Sequence, residues 1–397
     1  MRFVLSILII VGSAAWAHAQ GRLIVRLKPG IAAGTIAQRH GVTLLDDTAP
    51  APFALYGLRP GQNEDALQLQ MSGDPDLMWV EDDNRVSMPE HTGASKGSTI
   101  AAISDRNALY SQNTGVLSQI RFWPHRALAS GRTVRLAVLD TGLSPQQPRL
   151  WDRVVASLNC IEPGQAAWDI ARLTDSNNNG VPDEGLGHGT MVTGIVDQVA
   201  PRVELIIVRV ADSDGIGNAW ALVKGLAFAV VNGAEVANIS LGSSENIKAL
   251  NDVLDWTEEQ NLLVVAPIGN NGRKMALEPS DNSKVVCVVG LDPVNRKASF
   301  SNWDSDADVC APATGIKSTW HDGTMGVWSG TSFAAPFVSG AVADSLRKSR
   351  RLPPRNIRQI LKRYGDNVDP YNHSDHRGKI GKKLNVAKLE VYIRRGR

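Results

Sequence analysis

The chain has 397 residues, 43% hydrophobic and 21% charged, with 42 Lys and Arg against 40 Asp and Glu. Such a composition excludes a disordered protein, and the length allows two domains and one sizeable core. The net charge of +2 gives no electrostatic footprint for nucleic acid, and the locally basic stretch from Arg347 to Arg397 reads as a solvated surface.

Taken in order, the chain starts with Arg2, an apolar run from Phe3 to about Ala15 and the A-x-A arrangement Ala17, His18, Ala19. This is the pattern of a secretory signal peptide over residues 1–19, so the expected location is extracellular or periplasmic. The run is too short for a membrane anchor, and no later stretch is long and apolar enough to span a bilayer. Residues 20–88 begin with RLIVRLKPG, where Leu23, Val25 and Leu27 alternate with Arg26 and Lys28 before Pro29 and Gly30 end the strand. A helix to about His40, the strands VTLLDD and FALYGLRPG, the helical NEDALQLQM and the strand DLMWVEDD follow. That order predicts a small ferredoxin-like α+β domain. Residues 89–109, rich in Gly, Ser, Thr and Ala without a period, read as a linker.

From 110 to 397, the apolar runs TVRLAVLD, VELIIVRV, GAEVANISLG, LLVVAPIG and KVVCVVG alternate with helical stretches such as AWALVKGLAFAVVNG and NIKALNDVLDWTEEQ. The alternation predicts an α/β domain, a doubly wound, mostly parallel sheet with helices on both faces. In such sheets functional residues gather at the carboxyl ends of strands. Three cysteines make no disulfide framework. Cys287 and Cys310, in apolar strand-like runs, read as buried free thiols.

Four residues stand where chemistry could be done. Asp140 ends a strand in AVLDTG, which is also an ordinary turn position. His188 lies between Gly187 and Gly189 in GHGTMVTG, where glycines let other backbone approach the ring. Asn270 follows Gly269 at a strand end in APIGNNG; it is either a turn residue or an amide donor for an oxyanion. Ser332, in SGTSFAAPFVSGA, stands at the N-terminus of a helix whose first turn holds Pro336. It is either an N-cap or a nucleophile beside free backbone N–H groups. Ser240, Leu241 and Gly242 close another strand, where Gly242 lets an extended peptide lie alongside. Asp175, Asn177, Asn179 and Asp183 take positions 1, 3, 5 and 9 of a calcium-loop pattern, although Leu186 replaces the bidentate Glu. The same residues would make an Asx-rich turn. A dinucleotide-binding reading of Gly185, Gly187 and Gly189 fails, because Thr190 stands where the third glycine is needed.

The order Asp140, His188, Asn270, Ser332, with the motifs AVLDTG, GHGT, NISLG, APIGN, SFSN and SGTSFAAPFVSGA, resembles that of the subtilisin-like serine peptidases, the subtilases of peptidase family S8. The resemblance covers roughly the whole second domain and implies a serine endopeptidase acting on proteins or peptides. It makes Ser332 the nucleophile, His188 the general base, Asp140 its orienting partner, Asn270 an oxyanion donor and Ser240, Leu241 and Gly242 the substrate-cleft residues. The first domain resembles the family's inhibitory propeptide, so the chain is expected to be an autoprocessed, monomeric zymogen held by its own propeptide. No cofactor is implied for catalysis, and calcium would be structural. A catalytically inactive binding module on the same fold is the alternative. Met191, Thr193 and Glu278, and APATG at Ala311 to Gly315, depart from the family's usual residues, which bears on side-chain preference more than on the reaction.

Overall fold

A computed structural model describes residues 21–89, 110–124, 131–349 and 352–395. The signal-peptide reading and all of the linker except Pro89 lie outside the described residues.

The N-terminal unit comprises β1 (Arg22–Leu27), α1 (Ala33–His40), β2 (Thr43–Asp47), β3 (Phe53–Gly57), α2 (Glu64–Ser72) and β4 (Leu77–Asp82). Its antiparallel sheet has the order β2-β3-β1-β4, the ferredoxin-like arrangement. Alternation along the strands puts Leu23, Val25 and Tyr56 on the face that packs against Ile36 and Met71 of the unit's own helices. Ile24, Phe53 and Leu55 point the other way, into a core shared with the second unit. Every residue of β3 is therefore buried.

The short strand β5 (Arg85–Ser87) and the helix α3 (Thr114–Gln119) precede the large sheet. That sheet is built from β6 (Arg135–Asp140), β7 (Val154–Asn159), β8 (Glu204–Arg209), β10 (Val236–Ile239), β11 (Leu263–Pro267), β12 (Val286–Leu291), β13 (Val309–Pro312) and β16 (Lys382–Lys383). Between them lie α4 (Pro148–Trp151), α5 (His188–Val199), β9 (Ile216–Asn218), α6 (Ala219–Val231), α7 (Lys248–Glu259), the hairpin β14 (Ile316–Thr319) and β15 (Met325–Trp328), α8 (Ala335–Arg347) and α9 (Pro354–Tyr364). The last helix is α10 (Val386–Arg395).

The strand order is β16-β13-β12-β11-β10-β6-β8-β7, and each neighbouring pair is parallel. The first of this sheet's strands in chain order, β6, thus lies between β8 and β10, where the winding reverses and where such sheets bind ligands. Leu136, Val138, Leu205 and Ile207 face a core closed by α5 and α8. The intervening Ala137, Leu139, Ile206 and Val208 face α6 and α7.

The predicted strands and helices of both units are present, with two differences. The last strand, β16, is only two residues long, because Asn385 Oδ1 accepts the Lys388 N–H at 3.0 Å and starts α10, which had no sequence signal. The β14–β15 hairpin gave no sequence signal, since each strand has four residues and begins at no alternating apolar run.

The small residues of the α8 motif do what their size suggests. A Cβ on Gly340 would come within 2.4 Å of Val199 Cγ2, so α8 crosses α5 at a distance only glycine allows. Gly340→Val is expected to lower the urea midpoint, at a cost of about 1–3 kcal/mol from overpacking, while Gly34→Ala, in open space on α1, is expected to leave it near the wild-type value or raise it.

Candidate active site

Asp140 is the last residue of β6 and is buried. The turn that follows takes Gly142 at φ 111°, where a Cβ would lie 2.6 Å from the Ala167 carbonyl oxygen. Asp140 Oδ1 accepts the Thr141 N–H at 2.8 Å and stands 2.7 Å from His188 Nδ1. Facing a carboxylate oxygen, Nδ1 carries the hydrogen, which makes Nε2 the basic nitrogen of the neutral ring.

His188 is the first residue of α5, directly after Gly187 at φ 87°. A Cβ on Gly189 would lie 2.4 Å from the Gly142 carbonyl oxygen, so the close approach expected of the flanking glycines is real. The imidazole is fully buried, with Trp328 edge-on at 5.6 Å and Phe333 tilted at 5.2 Å between ring centroids. Sequence reasoning passed over both rings. Phe333 is next to Ser332 in the motif, but Trp328 reaches the histidine only through the unforeseen hairpin.

Ser332 lies in a 3₁₀ turn, Thr331–Phe333, just ahead of α8 rather than on it, with Pro336 in the first turn of the helix. Its Oγ is 3.5 Å from the Ser240 carbonyl oxygen, and Ser240 Oγ donates in turn to the Ser332 carbonyl at 3.2 Å. Asn270 Oδ1 accepts both the Thr331 N–H at 2.9 Å and the Thr331 hydroxyl at 2.8 Å. Its NH₂ end therefore points away from Thr331. The strand order brings Asp140, Ser240 and Asn270 to neighbouring strand ends, and α5 and α8 bring His188 and Ser332 to the same end of the sheet.

Gly242, with Ser243 and Ser244, borders a cleft of about 630 Å³ that residues 85–89 also line, whereas Ser240 and Leu241 are not part of its lining. Gly242 exchanges two backbone hydrogen bonds with Ser87, at 2.8 and 3.0 Å. On its other side β5 pairs antiparallel with β9, and the Met88 N–H reaches the Gly215 carbonyl at 3.0 Å. Residues 85–88 thus lie in the cleft as the middle strand of three, with Val86 and Met88 buried. Leu241 turns its side chain into the core beneath.

Asp175, Asn177 and Asn179 of the calcium-loop pattern share one turn, in which the Asn179 N–H reaches both Asp175 Oδ1 and Asn177 Oδ1. Asp175 accepts the N–H groups of Asn179 and Gly180, while the amides of Asn177 and Asn179 reach Glu184 Oε2. Asp183 faces the backbone N–H groups of Arg172, Leu173 and Thr174. Among the described residues no three His, Cys, Asp or Glu are grouped to hold a metal ion. Cys160, Cys287 and Cys310 are free thiols.

A central parallel sheet with an aspartate, a buried histidine, an amide and a serine gathered at its carboxyl edge defines a serine peptidase of the subtilisin kind. The chain belongs to the subtilase family, whose model matches residues 131–379. Thermitase from Thermoactinomyces vulgaris is 29% identical over 276 residues, which are 65% of this chain and 93% of thermitase. An alkaline protease from Alkalihalobacillus alcalophilus is 30% identical over 330 residues, 81% of this chain and 76% of the relative. Fervidolysin from Fervidobacterium pennivorans, a keratinolytic enzyme related to subtilisin, shares the fold with a TM-score of 0.74 at 20% identity. That match covers 94% of this chain and 61% of fervidolysin. The chain is a serine-type endopeptidase, a hydrolase of peptide bonds. No helix among the described residues is long and apolar enough to cross a membrane.

Glu278, one of the departures from the family's usual residues, is buried beside the cleft. It exchanges backbone hydrogen bonds with Ser243, while its carboxylate accepts the Ile247 N–H at 3.0 Å and the Asn251 amide at 2.9 Å. Burial pushes its pKa up from 4.5 to about 7. A raised pKa means that the folded state binds this proton more tightly than the unfolded chain. The stabilisation is complete below about 4.5 and lost as pH rises through about 7. Stability against urea should therefore fall between pH 5 and pH 8, and Glu278→Gln should flatten that slope.

Proposed function

We propose that the chain is a secreted endopeptidase, made as a zymogen, in which Asp140, His188 and Ser332 act as a catalytic triad. The observation that carries the reading is the buried Asp140–His188 hydrogen bond, because it leaves Nε2 as the base. Ser332 Oγ attacks the scissile carbonyl carbon while its proton passes to His188 Nε2. Asp140 keeps the ring in its tautomer and stabilises the imidazolium that forms. The Asn270 NH₂ and the Ser332 N–H donate to the oxyanion of the tetrahedral intermediate. As that intermediate collapses, the C–N bond breaks, the imidazolium proton goes to the leaving amine, and the acyl group stays on Ser332. Water then repeats the sequence and frees the carboxylic acid. No metal is required by any of these steps.

In this reading the N-terminal unit is the propeptide and inhibitor, and residues 85–88 lie where a substrate backbone would pair with Gly242. Its contacts with the large unit support a specific docking. Glu81 accepts the N–H groups of Lys248 and Ala249 at the start of α7, and Asp83 accepts that of Trp220 at the start of α6. Arg26 and the Trp79 indole N–H both reach Asp252. The enzyme acts as a monomer, and the signal-peptide pattern of residues 1–19 supports its export.

The test is the N-terminal sequence and mass of the secreted product for the wild type beside Ser332→Ala. The wild type is expected to begin past Ser87 and the variant to keep its first domain from about Gln20; two products that both keep it would overturn self-processing. In peptide hydrolysis, Ser332→Ala should lower kcat by about 10⁶. Asn270→Ala should lower it by about 10²–10³, the effect that removing such a donor has in subtilisin. The rate should rise with pH across the neutral range as His188 loses its proton, and a flat profile would remove that histidine as the base.

A further inference from the structure

Asp169 takes no part in the chemistry above, yet it is among the most completely buried carboxylates in the protein. It lies on the loop between β7 and α5. Its Oδ1 accepts the Gly187 N–H at 3.0 Å, and its Oδ2 accepts the Thr190 N–H at 3.1 Å and the Thr190 hydroxyl at 2.6 Å. The Thr190 oxygen in turn accepts the Ser144 N–H at 2.9 Å.

These bonds bracket His188. The helix has no side-chain cap of its own, since its N-cap is Gly187, so its open N–H groups must be satisfied from outside. His188 N–H goes to the Gly185 carbonyl at 3.0 Å, Gly189 N–H to Thr141 Oγ1 at 2.9 Å and Thr190 N–H to Asp169. The loop that carries Asp169 is itself tied down: Arg209, the register partner of Asp140 on β8, donates to the Trp168 carbonyl at 3.0 Å and to Glu162 at 3.1 Å. The charged and titratable groups around Asp169 are therefore Asp140 at the end of β6, His188 at the head of α5 and Arg209 at the end of β8. Burial, with Asp140 nearby, pushes the Asp169 pKa up. Its three donors and the positive end of a twelve-residue helix favour the ionised form.

We propose that Asp169 is a positioning residue for the His188–Asp140 pair. By holding the amide before the imidazole and the one two residues after it, Asp169 sets the angle at which the first turn of α5 presents His188 to Asp140. The inference rests on the reading of His188 as the base. That reading is tested on the wild-type pH profile alone, so its failure is distinguishable from a failure here.

The experiment compares Asp169→Asn with the wild type in kcat, KM, the acid limb of the pH–rate profile and thermal melting. An amide in place of the carboxylate turns an NH₂ toward one of the donors, so kcat should fall by about 10–100-fold, as expected when a reacting group is displaced by a fraction of an ångström to an ångström. KM should change less than about twofold, and the acid limb should move to lower pH because a buried negative charge near the imidazole is gone. Asp197→Asn is the control: Asp197 lies near the far end of the same helix, buried between Arg149 and Arg153, and its loss should lower the melting temperature without moving the acid limb. If Asp169→Asn does not fold, Thr190→Val removes the hydroxyl bond while leaving the carboxylate, and should lower kcat by about 3–10-fold. Unchanged kcat and acid limb in the folded variant would overturn the proposal, as would an equal shift of the limb in Asp197→Asn.

Discussion

One hydrogen bond, 2.7 Å between His188 Nδ1 and Asp140 Oδ1, joins two side chains that are at most 1% exposed. Removing a carboxylate and an imidazole from water is costly unless each finds a well-placed partner, and much of the surrounding structure serves that placement. The sheet supplies a fixed origin for Asp140, because β6 is hydrogen-bonded on both edges, to β8 and to β10. The sharp turn at Gly142 and the missing side chain of Gly189 let the head of α5 come within contact of the strand end. Trp328 and Phe333 then pack against the ring and keep the pair dry.

The N-terminal unit is attached by a different principle. Its sheet lays one apolar face on α6 and α7, which is non-directional, and adds directed polar contacts at the starts of those helices. Both Glu81 and Asp83 sit where helix N–H groups lack intrahelical partners, so position and charge sign are specified together. Asp83 also lies 3.1 Å from Arg22, and burial pushes its pKa up to about 6. The apolar face is non-directional, so the two carboxylates are what set the register.

Much of this was legible in the sequence. Alternation along β1 and the apolar runs of the large sheet gave strand positions, and the strand-end residues Asp140 and Asn270 fell where the fold class puts chemistry. The glycines around His188 signalled close packing before any coordinate did. What stayed hidden depended on chain distant in sequence. Asp169 belongs to no motif and acquires its place only when the loop before α5 folds back on the helix start. Trp328 meets the imidazole through a hairpin too short to show a period. The bonds from Asp183 to the backbone N–H groups of Arg172 to Thr174 likewise join residues that no local pattern links.

The central position of β6 bears on how quickly the molecule can be assembled. Its neighbours arrive late in the chain: Leu136 pairs with Leu205 on one side and Val236 on the other, so neither ladder can zip from a local hairpin. All-parallel pairing of this kind must meet the entropy of closing long loops before any ladder forms, which slows folding and prolongs exposure of apolar strands. The N-terminal unit, by contrast, has strands joined by short connections and leads the rest in synthesis order. In the folded chain it grips the starts of α6 and α7, the two helices that flank β10, so the strand that pairs with β6 lies between elements held from outside its own sheet.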